Sequence, residues 1–144
     1  MSKHTIRPSS TFWIVAVIAF IWNLLGALAY LGQTFMTDEI RAALPKEQST
    51  LFNNAPVWVT VAFAIAVWAG LLGCILLLLR KKSAKRVFVL SFLGIMVHLI
   101  YNSFIAKAID LYDITSLIIP ILTLLIGLYL IGHSNRCIKE GILT

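Results

Sequence analysis

Charge is what this chain has least of. Only 12% of its 144 residues are Asp, Glu, Lys or Arg, about half the share of a soluble domain, whose surface needs those groups to stay in water. The scarcity is also patterned. No charged residue falls between Arg7 and Asp38, between Glu47 and Arg80, between Arg86 and Lys107, or between Asp113 and Arg136. Cysteine is nearly absent too. Cys74 and Cys137 are the two present, with neither C-x-x-C nor zinc-finger spacing, which excludes a disulfide framework and thiol exchange chemistry. They read as a packing residue and a reduced thiol. Acids number six against twelve bases, and none falls inside a charge-free run, which argues against proton antiport on a buried carboxylate. Glycine-rich phosphate loops, metal-ligand clusters and a nucleophile–base–orienter set are also missing, so nothing points to an enzyme, a catalytic residue, a metal or a cofactor.

The remainder is apolar: 60% of residues are hydrophobic and the mean hydropathy is +0.92. Each charge-free run holds about 20 residues, enough to cross about 30 Å of hydrocarbon as a helix. The expectation is an all-α polytopic membrane protein, one membrane domain of four transmembrane helices in a bundle. The spans fall at 12–32, 56–79, 87–106 and 114–132. The first could be mistaken for a secretory signal, since Lys3 and Arg7 precede an apolar run that ends near Ala27-Leu28-Ala29. That run continues past the length of a signal core, so it reads as a retained span.

Orientation follows from the bases. Lys3, Arg7, Arg80, Lys81, Lys82, Lys85, Arg86, Arg136 and Lys139 share one side, against Arg41, Lys46 and Lys107 on the other. By the positive-inside rule both termini and the basic loop 80–86 are cytoplasmic. Trp13 and Trp58 sit near span ends, as interfacial anchors do. The net charge of +6 is thus a topology signal with some attraction to anionic lipid. It does not indicate nucleic-acid binding, because the basic cluster has no folded domain beside it. The lipid bilayer is the first partner.

The outer loop 33–55 is the one loop of any size. Thr37 caps a short interfacial helix with Asp38 and Glu39 in its first turn, and Pro45 closes it after Leu44. "STLFNNAP" then reads as loop. This segment either lies across the outer end of the bundle or rests on the headgroups, the commoner outcome.

Helices in lipid associate through small residues and buried polar groups, so these mark each inward face. The stripes are Ala16, Ala19, Asn23, Ala27 and Tyr30; Ala62, Ala66, Gly70 and Cys74; Ser91, Gly94, His98, Tyr101 and Asn102; and Ser116, Pro120, Thr123 and Gly127. Ala62, Ala66, Gly70, Gly94 and Gly127 are the helix-packing positions. Asn23 and His98 both lie about eleven residues from the inner end of their spans, about 16 Å deep at about 1.5 Å per residue, so they should be neighbours near the midplane. Tyr30, Tyr101 and Asn102 lie further out, and Pro120 leaves the carbonyl of Ser116 without its helical donor. An outward-opening cavity would have this distribution. Its lining candidates are His98, Tyr101, Asn102, Asn23 and Tyr30.

Intramembrane polar groups are functional candidates by default. The plainer role for His98 is interhelical: a neutral ring bonded to Asn23 or Asn102. Haem ligation needs a second deep histidine, which His4 and His133 do not supply. Trp22 and Trp68, also at mid-depth, form either a stacking wall for a ring-shaped solute or lipid-facing bulk, the second being more common.

The runs "YLGQTFMTDE", "PVWVTVAFAIAVWAGLLGCILLLLRKK" and "YNSF" resemble a family of small bacterial four-span inner-membrane proteins often labelled "sugar transporter". The resemblance covers most of the chain. It implies a bacterial inner (plasma) membrane location and transport of a polar solute, and it carries over no functional residue. The functional expectation is therefore binding or transport of a small polar solute through the outward-facing cavity. Four short helices wall a pathway thinly, so transport calls for a homo-oligomer. The alternative is a structural or accessory membrane protein whose stripes pack against itself or a partner.

Overall fold

Six α-helices account for nearly all of the described chain. The structure, a computed structural model, describes residues 6–105 and 118–144. The helices are α1 (Ser10–Thr34), α2 (Asp38–Ala42), α3 (Lys46–Asn54), α4 (Val57–Leu78), α5 (Ser83–Ile100) and α6 (Ile118–Lys139), and α5 runs on into a π-helical turn over Tyr101–Ile105. Among the described residues four helices, α1, α4, α5 with its π turn, and α6, are long and apolar enough to cross a membrane. The chain is an all-α multi-pass membrane protein.

Local chemistry explains the helix ends. Ser9 Oγ accepts from the amide of Phe12 at the start of α1, and Thr37 Oγ1 accepts from the amide of Ile40 at the start of α2. Each satisfies one of the amides left over in a first turn. At the far end of α4 the amide of Lys81 reaches the carbonyl of Leu76 and that of Arg80 the carbonyl of Leu77. This is a Schellman closure with Arg80 in the left-handed position, φ 58°. An arginine is an unusual occupant, and its side chain supplies the compensation. Nε donates to the carbonyl of Ile142 at 3.0 Å and Nη2 to that of Ile6 at 3.1 Å. One residue thus ties the segment before α1 and the segment after α6 to the α4–α5 turn.

Two boundaries differ from the sequence reading. Lys85 and Arg86 lie inside α5, and α6 continues through Arg136 to Lys139. Lys and Arg are good helix formers whose long stems let the charge reach water from a helix end. In the first long connection, a second helix, α3, replaces the expected loop. Of "KEQSTLFNN" only Leu51 and Phe52 are apolar, and it is the strong formers Lys46, Glu47 and Gln48 after Pro45 that start the helix.

The four spans pack in a row: α1 on α4, α4 on α5, α5 on α6. Large aliphatic side chains such as Ile14, Ile18, Leu72, Leu93 and Leu125 face outward, and small ones fill the seams, the arrangement lipid favours. Ala62, Ala66, Gly70, Cys74 and Gly94 are buried. At Gly94 the backbones come so close that a Cβ there would stand 2.8 Å from both the Ala62 carbonyl oxygen and the Ala66 amide nitrogen. Gly127 faces Phe92 and Ile95 at ordinary contact distance. Ser91 Oγ donates to the carbonyl of Ala66 across the same α4–α5 seam.

The row closes on itself at one end only. Near the basic end, which carries Arg80 and both terminal segments, the Phe12 ring of α1 stacks on His133 of α6, with centroids 6.0 Å apart. Phe12, Ala16, Leu130, Cys137, Ile142 and Leu143 share one core there. Toward the opposite end, where α2 and α3 lie, a hollow is lined by residues of both α1 and α6.

Candidate functional site

The hollow has two chambers. The deeper, about 450 Å³, lies between Trp22, Asn23, Leu25, Gly26 and Ala29 of α1, Phe63, Ala66 and Val67 of α4, Ile95, His98 and Leu99 of α5, and Ile119, Pro120 and Thr123 of α6. The second, about 500 Å³, is nearer the loop end and more polar. Tyr30, Gln33, Thr34, Thr60, His98 and Asn102 face it, and Met36, Arg41, Leu51, Phe52 and Ala55 close it from α2, α3 and their flanks. Phe63, His98, Leu99 and Pro120 belong to both chambers and form the wall between them. Arg41 of α2 and Leu51 and Phe52 of α3 thus bring the α2–α3 segment to the mouth of the cavity.

His98 stands at the centre of that wall. Its ring stacks on Phe63 with centroids 4.7 Å apart and planes 18° from parallel. Asn102 Nδ2 lies 3.2 Å from His98 Nε2 and donates to the His98 carbonyl at 2.9 Å. With Nε2 accepting, the ring proton sits on Nδ1. Among the described residues neither His98 Nδ1 nor Asn102 Oδ1 has a hydrogen-bond partner. The pair lies four residues apart on one helix, so the bond is not the interhelical link expected for His98. Its chemistry is that of a donor and an acceptor held together at a cavity wall. Asn102 is the second residue of the π turn, and such turns often occur at functional sites because they swing side chains out of α-helical register.

Asn23 and His98 both line the deeper chamber but make no hydrogen bond to each other. Asn23 Nδ2 donates to the Ala19 carbonyl at 2.9 Å and to Cys74 Sγ at 3.4 Å. Its amide is drawn into the α1–α4 seam beside Gly70, where a Cβ would collide with Asn23 Oδ1. Equal depth set the two at the same level; the rotation of α1 turned them toward different partners. Tyr101 departs from the expected lining altogether. It is buried, packs edge-on against Trp58 with centroids 5.4 Å apart, and its hydroxyl donates to the Asn54 carbonyl at the end of α3 at 3.5 Å. It anchors the cover. Tyr30 does line the loop-end chamber, edge-on to Phe63 at 5.5 Å and Trp68 at 6.3 Å. Trp22 and Trp68 part ways: Trp22 lines the deeper chamber, whereas Trp68 is 43% exposed. Pro120 lines both chambers, while Ser116, whose carbonyl it was expected to free, lies outside the described residues.

Sequence reasoning missed Phe63, Gln33, Thr60 and Arg41. Phe63 is one aromatic in an unbroken apolar run, and Thr60 carries no more signal than any threonine in a span. Gln33 and Arg41 fall in or beside the first loop, where polar residues are unremarkable. A signal for Arg41 did exist: it is the one basic residue of the short helix that Thr37 caps.

Among the described residues no three or more His, Cys, Asp or Glu side chains gather to hold a metal. No family model, curated protein or solved structure matches the chain.

Proposed function

We propose that this protein binds a small solute in the two-chambered cavity and passes it across the bilayer. The observation that carries this reading is the loop-end chamber itself. It is a hollow of ligand size, lined by Tyr30, Gln33, Thr34, Thr60, His98 and Asn102 and roofed by a dedicated pair of short helices. By the positive-inside rule the basic end is cytoplasmic and the chamber faces outward, in an inner membrane. A second copy set against the gap between α1 and α6 would complete the wall of a pathway.

Two experiments test the proposal. A cysteine placed at Gln48 should react with an impermeant thiol reagent added from outside, while one at Ser83 should not; the reverse result would invert the topology. Thermal unfolding of the purified protein against a panel of small solutes should show a stabilising ligand whose effect is lost in Asn102→Leu. A panel that shifts neither protein, together with a variant at least as stable as wild type, would overturn the solute reading. That outcome would favour an accessory role. One observation speaks for the accessory role: a side chain at Gly32 or Gly132 would meet nothing within 4 Å, which leaves small-residue surface open to a partner.

A further inference from the structure

We infer that the ligand is an amphipathic monoanion, its charged head held by Arg41 in the loop-end chamber and its apolar body directed to the deeper one. This rests on the solute-binding reading above and narrows the class of solute. Arg41 lies in the chamber wall with its Nε buried and without a hydrogen-bond partner among the described residues. Its Nη1 reaches Asn53 Oδ1 at 3.5 Å, the outer limit of a hydrogen bond, at an exposed position. Among the described residues no Asp or Glu lines either chamber. Among the described residues the ion pair formed is Arg136 with Glu140, at the opposite end of the molecule.

A guanidinium N–H buried without an acceptor is costly, and the partner that fits the planar group is a carboxylate or phosphate. Gln33 and Thr60 face the same space and can donate to such a head. The deeper chamber is unsuited to a sugar. Trp22, Leu25, Phe63, Val67 and Ile95 dominate it. Of its polar side chains, Asn23 Nδ2 is engaged with Ala19 and Cys74, and Thr123 Oγ1 with the carbonyl of Ile119, which leaves His98 on the shared wall and the Trp22 indole. A solute with hydroxyls all round would leave them unpaired there, whereas an aliphatic or aromatic body would not. The chambers share the wall of Phe63, His98, Leu99 and Pro120, so one molecule can present its head to one and its body to the other. The same chemistry belongs to a soluble carboxylate and to an anionic lipid.

The test uses the full chain in a neutral polyoxyethylene detergent. It is titrated with 3-phenylpropionate, with the uncharged 3-phenylpropionamide, with glucose, and separately with phosphatidylglycerol against phosphatidylethanolamine, reading melting temperature and tryptophan fluorescence. The anion should bind at least about tenfold tighter than its neutral counterpart, the scale of one charge-assisted hydrogen bond. Arg41→Gln should erase that preference, and Arg41→Lys should keep part of it. Preference for 3-phenylpropionate identifies a soluble source, and preference confined to phosphatidylglycerol a lipid one. Equal binding of acid and amide together with equal binding of the two lipids by the wild type overturns the inference without any variant having to fold. So does an Arg41→Gln protein that melts like wild type and keeps the preference. Binding of glucose that Asn102→Leu abolishes, with no response to either anion, removes the anion and leaves the cavity as a solute site. No binding of any probe removes both.

Discussion

Replacing Gly94 by alanine would set a methyl group 2.8 Å from the Ala62 carbonyl oxygen, 2.8 Å from the Ala66 amide nitrogen and 3.1 Å from the Ala66 Cα. All three are backbone atoms of α4, so no side-chain rotation relieves the clash. Carbon contacts settle at about 3.5–4.0 Å, so α4 and α5 must separate locally by roughly 0.5 Å or more. Overpacking of this kind costs about 1–3 kcal/mol. The same separation stretches the Ser91–Ala66 hydrogen bond, a class of interaction averaging about 0.6 kcal/mol in membranes. Alanine returns up to about 1 kcal/mol as the better helix former, which leaves Gly94→Ala destabilised by about 1–2 kcal/mol. Gly127 supplies the control. It too lies inside a long helix, but its added methyl would stand 3.5 Å from Phe92 Cδ2 and 3.7 Å from Ile95 Cδ1, at ordinary contact. Gly127→Ala should therefore be neutral, or stabilised by as much as about 1 kcal/mol. The assay is reversible unfolding in mixed micelles of a mild detergent and increasing dodecyl sulfate, followed by circular dichroism. A Gly94→Ala protein as stable as Gly127→Ala would refute the close α4–α5 crossing, and with it the position of His98 opposite Phe63.

Gly70→Ala should also destabilise, by about 1–3 kcal/mol, because the methyl displaces the Asn23 amide from Cys74. Combined with Asn23→Ala, which vacates that space, the loss should fall well short of additive in the same unfolding assay. Arg80→Gly and Arg80→Ala both give up the two carbonyl contacts, to Ile6 and Ile142. Glycine accepts φ 58° at little cost, whereas alanine pays about 1–2 kcal/mol there, so Arg80→Gly should be the more stable variant. In both, limited proteolysis should cleave beyond Lys139 sooner than in wild type, since Ile142 and Leu143 depend on that clamp for their burial.

Much of the fold is legible in one dimension because the bilayer is a severe solvent. A run without charge, long enough to cross the hydrocarbon, has to become a helix that satisfies its own backbone. The four gaps from Arg7 to Asp38, Glu47 to Arg80, Arg86 to Lys107 and Asp113 to Arg136 were therefore sufficient to mark four spans. Helical periodicity then marks one side of each span, which is how Ala62, Ala66, Gly70 and Gly94 stand out as seam residues. The Thr37 cap is a local hydrogen bond and needs no tertiary context. What periodicity does not contain is the rotation and tilt of one helix against the next. That is why Asn23, at the depth of His98, is spent on Cys74 across the α1–α4 seam, and His98 finds its partner on its own helix. The π turn at Tyr101 alters side-chain directions just where the polar residues cluster, and Tyr101 ends against Trp58 instead of in the cavity. The cavity itself is lined by residues of both α1 and α6, which meet at Phe12 and His133. Arg41 enters its wall only because α2 and α3 lie at its mouth. The residues and their depths are properties of the chain; which of them share a space is decided by how four helices pack their small residues together.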